Sequence, residues 1–290
     1  MLISVVCFVC ETVFDYIILG TLPAISFDYL WYFIIEIFTS GSPVSLSEAL
    51  WFVISLFFVL VVYVFLKKVF YKIWNSYIML ILFCILNCFV VYLVKKNDLE
   101  SYYFFLLPLK CLFFLPFIEM GVVYRDHLEK RHTDLSASKK CLLLILLIVI
   151  NLIRQIFLSG AYDIAFNGLS TLSGFKSPYL VTPLISSIIG ILFWLTVIDL
   201  IGDALFDSKL LNYISDSTYW IMGFHLLFFN LLNLVLFAVN NYFFTLPGFD
   251  ADAFRNTNWY RWEQVKSFRF LYLIVGIAGP LVLKLAINKR

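Results

Sequence analysis

The sequence predicts an all-α fold: a polytopic integral-membrane bundle of about eight transmembrane helices. Three observations carry this. Hydrophobic residues make up 62% of the 290 positions and charged ones only 14%, more apolar surface than a soluble core of this size can use. Mean hydropathy is +0.94. The apolar residues also fall in runs of helix-spanning length, with Lys and Arg gathered between alternate runs.

The runs are 2–20, 50–66, 77–94, 102–124, 141–158, 179–201, 217–240 and 267–286. The first lacks a basic n-region and is interrupted by Glu11 and Asp15, so it reads as a span rather than a signal peptide. Residues 21–41 are aromatic with Asp28 and Glu36 among them, and suit an interfacial helix or a short re-entrant piece. Ser45-x-x-Glu48 is a capping box expected to start the second span. Pro108 and Pro116 should bend the fourth, and Gly279-Pro280 the last. With no repeat and no low-complexity linker, residues 1–290 read as a single membrane domain.

Lys67, Lys68 and Lys72 follow the second span, Arg125, Lys130, Arg131, Lys139 and Lys140 the fourth, and Lys284, Lys289 and Arg290 close the chain. Placing these in the cytoplasm puts both termini inside a cell membrane, with membrane lipid as the constant partner. The 21–49 loop, free of Lys and Arg, then lies outside; the 241–265 loop, with Arg255 and Arg261, fits that side least well. The net charge of +2 gives no reason to expect nucleic acid as a partner. Six cysteines within or beside apolar runs read as small buried hydrophobes, and Cys7-x-x-Cys10 lacks the second half of a metal site, so none is expected. Glycine-rich phosphate loops, G-x-S-x-G elbows and H-E-x-x-H are absent from the sequence.

Polar residues inside the runs are the candidate chemistry. Thr218, His225, Asn233 and Asn240 fall in one stripe roughly 80° wide on a helical wheel. His225 lies about 10 Å along the helix from its Thr218 end. An imidazole there either serves as the chemical centre of a hydrated interior or only bonds to neighbouring spans. Glu119, six residues before Arg125, sits at similar depth, roughly 9 Å in. If the two spans are neighbours, Glu119 and His225 can share a proton and act as a general base toward a hydroxyl. Asn151, Arg154 and Gln155 share one face of the fifth span, either a snorkelling Arg or a polar mouth for a hydroxylated acceptor. Glu11 and Asp15, four apart on the first span, suggest a cationic neighbour or an aqueous groove. His127 and His132 are expected in a solvated basic loop that attracts an anionic cofactor or lipid headgroups.

Three stretches resemble the acyltransferase-3 family of membrane O-acyltransferases, which O-acetylate surface sugars. Leu50-Trp51-Phe52 with the run that follows is similar to the family's leucine–tryptophan–phenylalanine span. FLPFIEMGVVY, from Phe114 to Tyr124, is similar to its span entering a basic cytoplasmic loop. ISDSTYWIMGFHLL, from Ile214 to Leu227, resembles its penultimate, histidine-bearing span, and the closing GIAGPLVLKLAINK also fits. The resemblance implies an enzyme that uses acetyl-CoA, or another acyl-CoA, as donor substrate, with no tightly bound cofactor. The acceptor it implies is a hydroxyl of a glycan or lipid-linked sugar of the cell envelope. On that reading His225 and Glu119 are catalytic, Arg125, Lys130 and Arg131 attract the CoA phosphates, and Trp51, Asn151 and Arg154 face the acceptor. The family's first two spans, one with an Arg and a His, have no counterpart here. A shortened or catalytically degenerate member, acting as a partner in glycan assembly, is therefore the alternative, with a lipid-linked sugar transporter a third reading.

Overall fold

The computed structural model describes residues 2–20, 27–39, 44–97, 103–157, 180–256, 260–262 and 269–288. Lys289 and Arg290, two of the charges used for orientation, lie outside them. The described residues contain no strand. Helices occur at all eight expected runs: α1 (Leu2–Leu19), α3 (Trp51–Val69), α4 (Ser76–Asn97), α5 (Tyr103–Val123), α7 (Ala137–Phe157), α8 (Thr182–Phe206), α10 (Thr218–Tyr242) and α12 (Arg269–Asn288). Between them lie α2 (Phe27–Thr39) and the short α6 (Glu129–Thr133), α9 (Lys209–Ser215) and α11 (Ala251–Asn256). Six helical stretches, Trp51–Val69, Ser76–Val94, Leu107–Thr133, Leu184–Gly202, Thr218–Tyr242 and Arg269–Asn288, are long and apolar enough to cross a membrane. The protein is a multi-pass, all-α membrane bundle.

The chain forms two compact units, Met1–Phe52 with Lys209–Arg290, and Val53–Ser208. In the second, α4 packs on α5 and α7 on α8. Val59 and Tyr63 of α3, Phe83 of α4, and Cys111 and Leu115 of α5 form one apolar cluster. Val90, Val91, Val94, Leu109 and Phe113 form another. The span through α5 is the most enclosed, 44% buried against 11% for that of α8. Isoleucine, leucine and tryptophan side chains cover the outer faces, as lipid contact requires. Pro108 and Pro116 both lie inside α5. In the turn that Pro116 disrupts, the buried Asn87 amide donates to the Phe113 carbonyl at 2.7 Å.

The first unit is organised around α10, which packs on α12, on α1 and on a 3-10 turn over Ser45–Leu50. Cys7 of α1 lies against the Gly223 carbonyl, while Phe14 meets Phe254, which in turn stacks near Phe237 of α10. Both helices thus advance in the same direction. Glycines permit the close approach: a Cβ on Gly223 would lie 2.7 Å from Ile3, and one on Gly276 would lie 2.5 Å from the Phe229 ring. Small residues at the contact replace the hydrophobic drive that lipid removes.

The Ser45 hydroxyl donates to Glu11 at 2.7 Å; a 3-10 turn opens at Ser45, and the α-helix follows from Trp51, one residue from the expected start of the second span. Residues 27–39 form a 13-residue helix, about 20 Å long and too short to span alone. Its Phe33 meets Phe8 of α1 edge-on.

Gly276→Ala should lower the midpoint of thermal unfolding in detergent by several degrees, since Phe229 must move and overpacking costs about 1–3 kcal/mol. Gly121→Ala, where a Cβ meets nothing within 4 Å, should leave the midpoint unchanged or raise it.

Candidate functional site

The site is built on one face of α10. His225 is half-buried, and its Nδ1 lies 3.0 Å from both the Ile221 and Met222 carbonyl oxygens. Carbonyls only accept, so Nδ1 carries the proton and donates. The neutral ring then has its lone pair on Nε2, and among the described residues nothing is bonded to that nitrogen. One turn on, the Phe229 ring meets the imidazole edge-on at 5.5 Å and the Tyr272 ring edge-on at 5.6 Å. The Arg261 guanidinium lies over the same Phe229 ring, 5.5 Å from its centre. One phenyl ring therefore carries an imidazole with a free lone pair and a cation.

Arg261 is exposed, but its backbone is fixed on both sides. Asn233, fully buried, donates from Nδ2 to the Tyr260 carbonyl at 2.7 Å. Its Oδ1 accepts a hydrogen bond from the Tyr272 hydroxyl, whose oxygen accepts from the Trp262 N–H at 3.1 Å. The Trp262 indole donates to the Pro247 carbonyl at 3.0 Å. Leu236, Leu246 and Trp262 close an apolar cluster around these bonds. Burial pushes the Tyr260 phenol above its ordinary range, so it stays neutral and accepts from the Asp250 N–H.

Depth follows from helix rise. Asn233 stands nine residues before the end of α10, roughly 13 Å, and α12 begins at this level. The end of α10 thus extends past the start of α12, and residues 243–256 and 260–262 fold back along it. His225 is eight residues from Asn233 and seven from Thr218, in the first third of the helix. At the Thr218 end, Lys284 donates to Ser217 and to the Asp216 carbonyl and lies over Tyr213.

Of the stripe read from sequence, His225 and Asn233 join this network, while Asn240 accepts from the Leu246 N–H at 2.8 Å and shapes the turn beyond α10. Asn230, one turn from Asn233, was missed. It is 2% exposed, and neither amide atom has a partner among the described residues. Arg261, Phe229 and Tyr272 were missed too. The available signals were Phe229 at i+4 from His225 and an Arg set between Tyr260 and Trp262.

The remaining candidates lie elsewhere. Glu119 belongs to the other unit, is fully buried, and accepts from the Tyr63 hydroxyl at 2.6 Å through Oε2; no described group reaches Oε1. Trp51 is buried, edge-on to Phe52. Arg154 bonds Ser186, and with Asn151, Gly190 and Trp194 it lines an α7–α8 cleft of about 320 Å³. Arg125, Lys130 and Arg131 are exposed, Arg125 pairing with Asp126 at 2.9 Å.

His132 is not solvated, against expectation. Thr196 spends its proton on the Leu192 carbonyl, so His132 Nε2 donates to it at 3.0 Å and Nδ1 accepts from Tyr124 at 2.9 Å. With both nitrogens satisfied the ring can be buried. Beside it, Lys140 pairs with Asp199 at 2.7 Å and donates to the Thr133 carbonyl. His127 remains exposed, stacked on Tyr77.

Comparison with family models, with curated proteins and with solved structures finds no match to this chain. The functional reading therefore rests on the residues themselves.

Asn233→Leu should release the 260–262 segment by leaving the Tyr260 carbonyl and Tyr272 hydroxyl unpaired, a loss of about 1–3 kcal/mol. Limited proteolysis of the detergent-solubilised protein should then cleave between residues 243 and 268 several times faster than in the wild type.

Proposed function

We propose that this chain is an integral-membrane O-acyltransferase, moving an acyl group, acetyl in the simplest case, from a CoA thioester to a hydroxyl of a cell-surface or lipid-linked glycan. The observation that carries the reading is His225. Its Nδ1–H is committed to two main-chain carbonyls, which leaves Nε2 as a base without a partner among the described residues, about 10 Å along a membrane helix. An intramembrane ionisable group is costly and marks function more often than packing. Nε2 accepts the proton of the acceptor hydroxyl as its oxygen attacks the thioester carbonyl. The tetrahedral intermediate collapses, the carbon–sulfur bond breaks, and the CoA thiolate recovers the proton.

The exposed cations Arg125, Lys130 and Arg131 suit attraction of the CoA phosphates at the cytoplasmic face of the cell membrane, with both termini on that side. Glu119, in the other unit, has no exposed surface and accepts from Tyr63.

A second reading is a catalytically degenerate partner in glycan assembly: His225 Nδ1 bonding to the Ile221 and Met222 carbonyls is also what a histidine that only packs would do.

Membranes containing the full chain should transfer labelled acetyl from acetyl-CoA to surface carbohydrate, and His225→Gln should reduce transfer by about a hundredfold or more. Wild-type transfer that survives His225→Gln overturns the catalytic assignment. No transfer by a folded wild-type chain leaves the partner reading.

A further inference from the structure

We propose that Arg261 is a binding site for a phosphoryl group, and that the group belongs to a lipid-linked acceptor whose hydroxyl is presented to His225. The second half of this inference rests on the acyltransferase reading; the binding site does not.

The case begins with a cation held where a mobile loop would not hold it. Tyr260 and Trp262, its two neighbours, are tied to Asn233, Tyr272 and Pro247. Between them the Arg261 side chain lies on Phe229 and remains exposed. Among the described residues no carboxylate pairs with it. Its neighbour in the same connection behaves differently: Arg255 lies over Phe237 but also faces Asp252 at 3.6 Å. Among the described residues, then, the donor fork of Arg261 has no partner while its cation lies over an aromatic ring, an arrangement that can receive a tetrahedral oxyanion in the plane of the fork.

Its position selects the anion. Trp262, next to Arg261, is tied to Tyr272 in the first turn of α12, a helix about 30 Å long. The first turn of a spanning helix lies near the level of lipid phosphates. Phe229 separates the cation from His225 by one helical turn, so an anchor phosphate on Arg261 leaves the first sugar residue beside Nε2. A carrier lipid joined through phosphate to a sugar has that order of groups, and its chains would lie against the apolar outer faces of α10 and α12.

The test uses the full chain in phosphatidylcholine nanodiscs without acyl-CoA, titrated with dodecyl phosphate. Saturable binding is expected, weakened about 10- to 100-fold by Arg261→Ala, the range for a lost hydrogen bond to a charged group. Arg261→Lys should weaken it less, and His225→Gln should leave it unchanged. Equal binding by wild type and by an Arg261→Ala protein with an unaltered unfolding midpoint overturns the site. Displacement of dodecyl phosphate by equimolar phosphatidylglycerol overturns the lipid-linked acceptor in favour of a bulk headgroup site. Since no donor is present, these outcomes stand apart from whether acyl transfer occurs.

Discussion

The close approach of α10 and α12 at Gly276 is the constraint on which the site depends. A helix pair in lipid gains little from burying apolar surface, because the solvent is apolar already; contact must come from shape. Gly276 supplies the shape by leaving room for the Phe229 ring, which would otherwise meet a Cβ at 2.5 Å. Phe229 then fixes three things at once: the edge of the His225 imidazole, the Tyr272 ring and the resting place of Arg261. None of these groups is adjacent to another in sequence beyond a single helical turn. Their proximity is a consequence of one missing side chain.

Polar groups in hydrocarbon have no water to fall back on, and most of those described here are answered by a neighbour. Tyr63 answers Glu119, Thr196 and Tyr124 answer His132, Asp199 answers Lys140, and Asn233 answers Tyr272 and the Tyr260 carbonyl. Against that background, His225 Nε2 and the Arg261 guanidinium, each without a bonded partner among the described residues, stand out because they share one ring. Stability alone gives no reason to place an Arg beside an imidazole that it can only repel when protonated.

Much of this was legible in the sequence because the bilayer imposes a crude filter. Apolar runs of sufficient length must be helices, and all eight runs are. The stripe through His225 and Asn233 was legible for the same reason, since helical periodicity puts both on one face. What could not be read was anything decided by a residue's partner. Ser45-x-x-Glu48 has the pattern of a cap, and nothing in it announces that the Ser45 hydroxyl also donates to Glu11, far away in sequence. His132 sits in a loop of charges, and only Thr196 on a helix 64 positions later makes its burial possible. Arg261 was invisible because its value lies in a main chain tied down by Asn233 and Tyr272, neither of which announces that role.

The two arginines of the 243–268 connection bear on topology as well. Counted as loop charges they oppose the orientation that the other basic clusters give. Arg255 lies over Phe237 with Asp252 beside it, and Arg261 lies over Phe229, both while remaining exposed. Arginine suits this better than lysine, because its weakly hydrated planar cation can stack on an aromatic face while its edge still donates. The connection that fits the charge pattern least well is thus the one whose Arg261 shares a ring with His225.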